Sequence, residues 1–286
     1  MGASAHAPRG SEVLAERESH IVLYECAGAS VVAGAQLRTL EGVRGVFTPT
    51  QVVEGLRDPT DPHEPRSSLV CVENTHNHAG GTVWTRAQTR DLAKAAHEHG
   101  LKVHVDGARL FNSAVAQDVA ARSLVDSVDS VMFCLSKGLS APVGSVVAGT
   151  KEFIGEALRA RKLFGGGMRQ AGVIAAAGLV ALDTMVDRLA EDHANCRRLA
   201  AGLAKLPGIA VDLDPVQTNI LFTDVSGTGQ DARKLAQTLD KMGVRGAAPD
   251  ARRIRFVSHR HVTREDVDWA IAQVASALGR KVRARA

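Results

Sequence analysis

Between Ser67 and Gly149, short apolar runs alternate with stretches of helical period. "SSLVCVEN" reads as a short buried strand ending in polar residues. "TRAQTRDLAKAAHEHG" has apolar positions at helical spacing and closes on Gly100, suited to a left-handed C-cap. "LKVHVDG" is the next strand, "ARLFNSAVAQ" and "DVAARSLV" read as helical, and "VDSVMFCLS" and "VGSVVAG" are further strands. Strands alternating with helices at this spacing predict an α/β fold built on a mostly parallel sheet.

On either side the texture changes. The opening looks irregular, with a short apolar run in "SEVLAE". "KEFIGEALRARKLFGG" predicts a helix broken at the glycine run, and one long alanine-rich helix follows from about Arg169 to Leu206, stopped by Pro207 and Gly208. Beyond it "IAVDLDP", "TNILFTDV", "GVRGAA" and "RIRFVS" read as short strands, and "GQDARKLAQTLDKMG" and "TREDVDWAIAQVASALG" as amphipathic helices. The expected organisation is a large domain over residues 1–200 and a small α+β domain over 201–286.

Composition removes several function classes. The chain has 286 residues, 45% of them hydrophobic, enough to bury a core. Its net charge of +4 is scattered, apart from the tail "GRKVRARA", which reads as a solvated terminus. Aromatic residues make up 3%, so a nucleic-acid groove with stacking platforms is not expected. No run of eighteen apolar residues predicts a membrane span, and "MGASAHAPRG" lacks the apolar core of a signal peptide. Cys26, Cys71, Cys134 and Cys196 form no Cys-x-x-Cys pair and read as reduced core thiols of a cytoplasmic protein. No cluster has metal-ligand spacing. The run "FGGGMRQ" lacks the lysine and serine of a P-loop, and "GTGQDARK" reads as a loop and helix cap.

Two strand ends carry chemistry. "LKVHVDGAR" delivers Asp106, and "VMFCLSK" delivers Lys137 as a lone amine at the end of a strand read as buried. A buried lysine has to be neutralised or used. In an open parallel sheet, ligands bind beyond the carboxyl ends of the strands, so both groups would face one crevice. An ion pair is one reading. Pyridoxal phosphate is the other: it needs a lysine for its Schiff base and a carboxylate for its pyridinium nitrogen.

The stretches "ENTHNHAGGTVW", "VHVDGARLFNSAVA", "LSKGLSAPVGSVVAG" and "RKLFGGGMRQAGV" follow one another in an order that resembles the low-specificity L-threonine aldolase and aromatic amino acid beta-eliminating lyase family. The resemblance runs from about Ser19 to the C-terminus. It implies an aminotransferase-like, fold-type I architecture with helices on both faces of the sheet. It also implies pyridoxal 5'-phosphate as cofactor and a small amino-acid substrate. The reaction it implies is retro-aldol cleavage of L-threonine, L-allo-threonine or a related β-hydroxy amino acid to glycine and an aldehyde. A β-eliminating lyase or an aminotransferase is the nearest enzymatic alternative.

By the same resemblance Lys137 is the Schiff-base lysine, Asp106 the partner of the pyridine nitrogen, and His20 the histidine stacked on the ring. Arg109 and Arg255 would hold the substrate carboxylate, a task that suits a planar guanidinium fork, and Arg109 would also contact the cofactor. His76 resembles a histidine near the substrate hydroxyl, and His20, His76 or a bound water could be the base. His78 is read as surface. Lys162 and Arg169 would reach an active site across the interface of a homodimer or homotetramer. The family begins with a further arm, a helix and a Ser-Gly-Thr loop that holds the cofactor phosphate. Met1 and Gly2 resemble the tail of that loop. The expectation is a shortened chain, with an inactive, binding-only remnant as the non-enzyme alternative.

Overall fold

The computed structural model describes residues 2–279, so most of the tail "GRKVRARA" lies outside the described residues. The chain forms two compact units, Met1–Val186 and Asp187–Ala286. No described helix is long and apolar enough to cross a membrane.

The first unit is built on six strands: β1 (Glu12–Glu16), β2 (Gln36–Leu40), β3 (Ser67–Glu73), β4 (Lys102–Gly107), β5 (Ser130–Cys134) and β6 (Ser145–Gly149). Their spatial order is β2-β1-β3-β4-β5-β6. Every pairing is parallel except β5 with β6. "VGSVVAG" thus returns as an antiparallel edge, because the Leu135–Gly144 link is too short for a helical crossover. Leu14, Val70, Val72, Val103 and Val105 point into one core, and Val13, Ala15, Leu69 and Cys71 into another. This alternation is the two-residue period of a strand covered on both faces.

The helices of this unit are α1 (Gly2–His6), α2 (His20–Leu23), α3 (Pro49–Glu54), α4 (Arg86–Glu98), α5 (Leu110–Gln117), α6 (Lys151–Leu163) and α7 (Gly172–Thr184). Helix α4 starts with a reciprocal capping box between Thr85 and Gln88. After it the chain turns at Gly100, whose φ of +74° a side chain would resist. Leu92, Ala93 and Ala96 of α4 pack with Leu110 and Ala114 of α5 on the first core, where Trp84 and Phe47 meet edge to face at 5.0 Å. Helices α1 and α6 cover the other face.

In the second unit, α8 (Leu189–Leu203), α9 (Ala232–Lys241) and α10 (Arg264–Ala277) pack with the antiparallel pair β7 (Ile220–Asp224) and β8 (Arg253–Val257). The predicted strands "IAVDLDP" and "GVRGAA" reduce to single bridges at Ala210 and Ala247. The long helix expected from Arg169 to Leu206 is two helices, α7 and α8, separated at Met185–Arg188. The division between units falls in that break, earlier than the expected 200/201 boundary. Leu189, Cys196, Ala200 and Leu203 give α8 a buried stripe, and Cys196, Ala200 and Leu203 join the second core, so the helix belongs to the second unit.

Candidate active site

The carboxyl ends of β1, β3, β4 and β5 lie side by side at one edge of the parallel sheet. Glu73 closes β3 in register with Asp106, and Asp106 lies opposite Met132 of β5. Lys137 follows just past the end of β5. The register thus puts the lysine and the aspartate at neighbouring strand ends.

Lys137 is exposed, not buried as the strand reading expected. It sits beyond the last β5 pairing, in a turn where the Ser140 amide donates to the Lys137 carbonyl at 2.9 Å. The flanks of the turn are fixed. Leu135 and Leu139 are buried, the Leu135 amide donates to the Gly144 carbonyl, and the Ala141 amide to the Leu135 carbonyl. The amine is therefore free to meet a ligand while its backbone is held. Asp106 is half-buried and accepts the Ala108 amide at 3.1 Å, a bond that orients its carboxylate at the strand end. Arg109 is half-buried at the N-cap of α5.

His20 opens α2 on the turn that follows β1. Its Nδ1 lies 2.9 Å from Glu25 Oε1, and its ring is 4.9 Å from that of Tyr24. Its backbone amide donates to the carboxylate of Glu73. Glu25, Cys26 and Ala27 then take successive positive φ values of 63°, 51° and 56°. Non-glycine residues pay about 1 kcal/mol or more each for that conformation.

His76 is 1% exposed. The Ala79 amide donates to its Nδ1 at 3.1 Å, so the ring proton is on Nε2, which donates to Glu16 Oε2 at 3.0 Å. Both ring nitrogens are thus occupied within the chain. His78, read as surface from the sequence, is mostly buried and pairs with Glu18 at 3.4 Å.

Two acids here went unrecognised in the sequence, Glu16 and Glu73. Burial pushes the Glu16 carboxyl up, but the His76 ring N–H and the Glu18 amide outweigh it and hold the carboxyl below its ordinary range. Burial raises Glu73, and the nearby Asp106 charge adds to the rise, while the amides of Asn77 and His20 oppose it. Their sequence signal was the one that marked Asp106, an acid on the last residues of an apolar run, in "SEVLAE" and "VCVEN".

The other predicted residues lie elsewhere. Lys162 is exposed in the last turn of α6, and Arg169 is exposed in the loop before α7. Arg255 is half-buried in β8 of the second unit, opposite Phe222. Among the thiols, Cys71 and Cys196 are buried and free, as expected, and burial pushes both up to about 12, which makes them inert. Cys26 is exposed and so is no core thiol. Among the described residues no group of three or more metal-ligating side chains occurs.

A parallel sheet with an antiparallel edge, a lysine and an aspartate at adjacent strand ends, and a following α+β unit define the aminotransferase-like, fold-type I class. Solved structures share this fold. A threonine aldolase from Leishmania major superposes with a TM-score of 0.79 at 18% identity, covering 96% of this chain and 80% of that one. The N-succinyldiaminopimelate aminotransferase of Mycobacterium tuberculosis gives 0.71 at 20% identity, covering 96% and 74%. The family model described as beta-eliminating lyase matches residues 1–226, and the chain belongs to that family. Relatives include low-specificity L-threonine aldolase 1 of Arabidopsis thaliana, 40% identical over 273 residues, covering 94% of this chain and 76% of the relative. The low specificity L-threonine aldolase of Escherichia coli O157:H7 is 36% identical over 277 residues, covering 96% and 80%.

Proposed function

We propose that this chain is a pyridoxal phosphate-dependent aldehyde-lyase. It would cleave L-threonine, L-allo-threonine or a related β-hydroxy amino acid to glycine and an aldehyde. The observation that carries the reading is Lys137 and Asp106 at neighbouring strand ends, in a chain 40% identical to a named low-specificity L-threonine aldolase.

The residues at this edge fit the cofactor by their chemistry: a held lysine with an exposed amine, an oriented carboxylate, a partly exposed imidazole and an arginine. Lys137 would hold the cofactor's aldehyde carbon, Asp106 its ring nitrogen, and His20 one face of its ring. When bound, the cofactor supplies an electron sink for the pair released as the substrate Cα–Cβ bond breaks. Arg109 would fix the substrate carboxylate, and Arg255 is proposed for the same task. The substrate hydroxyl must lose its proton as the bond breaks. His76 has no ring nitrogen to spare, so that proton goes to His20 or to a bound water. With Nδ1–H of His20 donated to Glu25, the Nε2 lone pair is the one presented for it.

A homodimer or homotetramer is part of the proposal. Leu163 at the end of α6, Met168 in the loop after it, and Val173, Leu179 and Val180 of α7 stand exposed, apolar side chains that support a subunit contact. Lys162 and Arg169 adjoin Leu163 and Met168 in the chain and are proposed to serve a neighbouring subunit's site. A reducing, cytoplasmic setting is in keeping with the buried free thiols.

The test is covalent. The chain is mixed with pyridoxal phosphate, reduced with borohydride and digested, and the labelled peptide is identified by mass spectrometry. The label should fall on Lys137, and L-threonine should release acetaldehyde, measured with alcohol dehydrogenase and NADH. A label elsewhere, or a loaded protein that releases no aldehyde, overturns the reading. Turnover of L-tyrosine in place of L-threonine would point to the β-eliminating alternative.

A further inference from the structure

Each of the two strand-end glutamates holds the other strand's loop. Glu16 closes β1, yet it accepts the Nε2–H of His76 from the loop after β3 at 3.0 Å. Glu73 closes β3, yet it accepts the backbone amide of His20 from the turn after β1. Its second oxygen accepts the Asn77 amide at 2.7 Å, within the His76 loop. We propose that Glu16 and Glu73 are positioning residues, a reciprocal pair that ties these two loops together and so fixes the His20 ring over the strand-end site. The proposal rests on the site reading given above.

Three observations carry it. First, both carboxylates are nearly buried, at 3% and 6% exposure, and a buried charge persists only where fixed donors replace its water. The amides of Glu18, His20 and Asn77 and the His76 ring N–H, all on the segments that carry the two histidines, are such donors. Second, helix α2 has no side-chain cap on Ser19. The first amides of a helix have no partner inside it, and for His20 that partner comes from Glu73, on a different strand. The start of α2 is therefore set by β3 as well as by its own turn. Third, the neighbours leave room for the tie. A Cβ on Gly42 would meet Glu16 Cγ at 2.6 Å, and one on Gly45 would meet the His76 ring at 2.2 Å. Glycine at both positions lets the carboxylate and the imidazole pack together. The Gly42 amide also reaches the Glu16 carboxylate.

A purely local role would confine each effect to the glutamate's own strand, whereas a reciprocal tie predicts crossed effects. The experiment uses the full chain, with and without pyridoxal phosphate, and the isosteric variants Glu16→Gln and Glu73→Gln. Amide hydrogen exchange and histidine ring nitrogen resonances are read by NMR. In the unaltered chain the His20 and Asn77 amides should be protected, and His76 should show its proton on Nε2. Glu73→Gln should speed exchange at the His20 amide, on the turn after the other strand, by about tenfold, the size of one lost charge-assisted bond. Glu16→Gln should speed exchange at the Asn77 amide, which lies in the loop after β3 and which Glu16 does not itself bind. If the chain turns over L-threonine, each variant should lower kcat by about tenfold, and the double variant by far less than the product, because the two act as one unit.

Unprotected His20 and Asn77 amides in the unaltered chain would overturn the proposal, and that result is available even if a variant fails to fold. So would a Glu73→Gln exchange pattern like that of the unaltered chain, or kcat losses that multiply. A chain with the crossed NMR effects but no aldehyde release would instead overturn the functional reading and leave the tie standing.

Discussion

Replacing His104 with asparagine should flatten the acid sensitivity of the first unit. His104 is buried in β4, and its Nδ1 lies 2.7 Å from Ser130 Oγ. His6 of α1 reaches the same hydroxyl through Nε2 at 2.6 Å, and its ring stacks on Phe153 at 4.6 Å. One hydroxyl proton cannot serve both rings, so at least one imidazole N–H donates to the oxygen. Burial, with the His6 charge adding to it, lowers His104 from 6.5 to about 3. The unfolded chain therefore takes up this proton near its ordinary value, while the folded chain resists it until about pH 3. The contribution is fully present above pH 6.5 and is lost as pH falls from there toward 3.

Each pH unit in that window costs about 1.4 kcal/mol, so the step from pH 7 to pH 5 removes about 2 kcal/mol through His104. Burial also lowers His6, with Asp129 opposing and Lys102 adding, so its contribution has the same sign. An asparagine at 104 can offer a side-chain oxygen or amide to Ser130 without titrating. Urea unfolding at pH 7 and pH 5 measures the effect. Trp84, fully buried in this unit, is the fluorescent reporter, in a Trp269→Phe background that silences the second unit. The variant should lose about 2 kcal/mol less than the parent over this step. If the two losses agree within about 0.5 kcal/mol, His104 is not held neutral by burial and the reasoning fails.

Further outcomes follow from the same geometry. Lys137→Ala should abolish the borohydride-trapped adduct and lower aldehyde release by about a thousandfold, checked by mass spectrometry and the coupled assay. Asp106→Asn removes the charge expected to face the ring nitrogen. It should lower kcat by about a hundredfold and shift the bound cofactor's absorption, with the Lys137 adduct still forming. Trp84→Ala removes the edge-to-face contact with Phe47 and the indole N–H bond to the Gly45 carbonyl at 3.2 Å. Urea melts followed by circular dichroism should show a loss of about 3–5 kcal/mol.

Local pattern determined much of this protein. The apolar runs of β3, β4 and β5, the period of α4 and its turn at Gly100 need only neighbours in the chain, so they were readable in order. Asp106 and Lys137 stood out because a polar residue at the end of an apolar run marks the edge of a buried sheet. Their motif order carried the family resemblance, which the family model and the relatives bear out. Tertiary structure decided what depends on contacts distant in sequence. The break between α7 and α8 follows from α8 joining the second core, a preference invisible in an unbroken alanine-rich run. The exposure of Lys137 follows from a turn beyond the last strand pairing, where hydropathy alone suggested burial. The family resemblance made His76 one of the candidate bases. The fold gave one of its nitrogens to Glu16, sixty residues away in the chain, and the other to the Ala79 amide. Sequence names the groups at a strand end, and the parallel register decides which of them share donors and which can still take a proton.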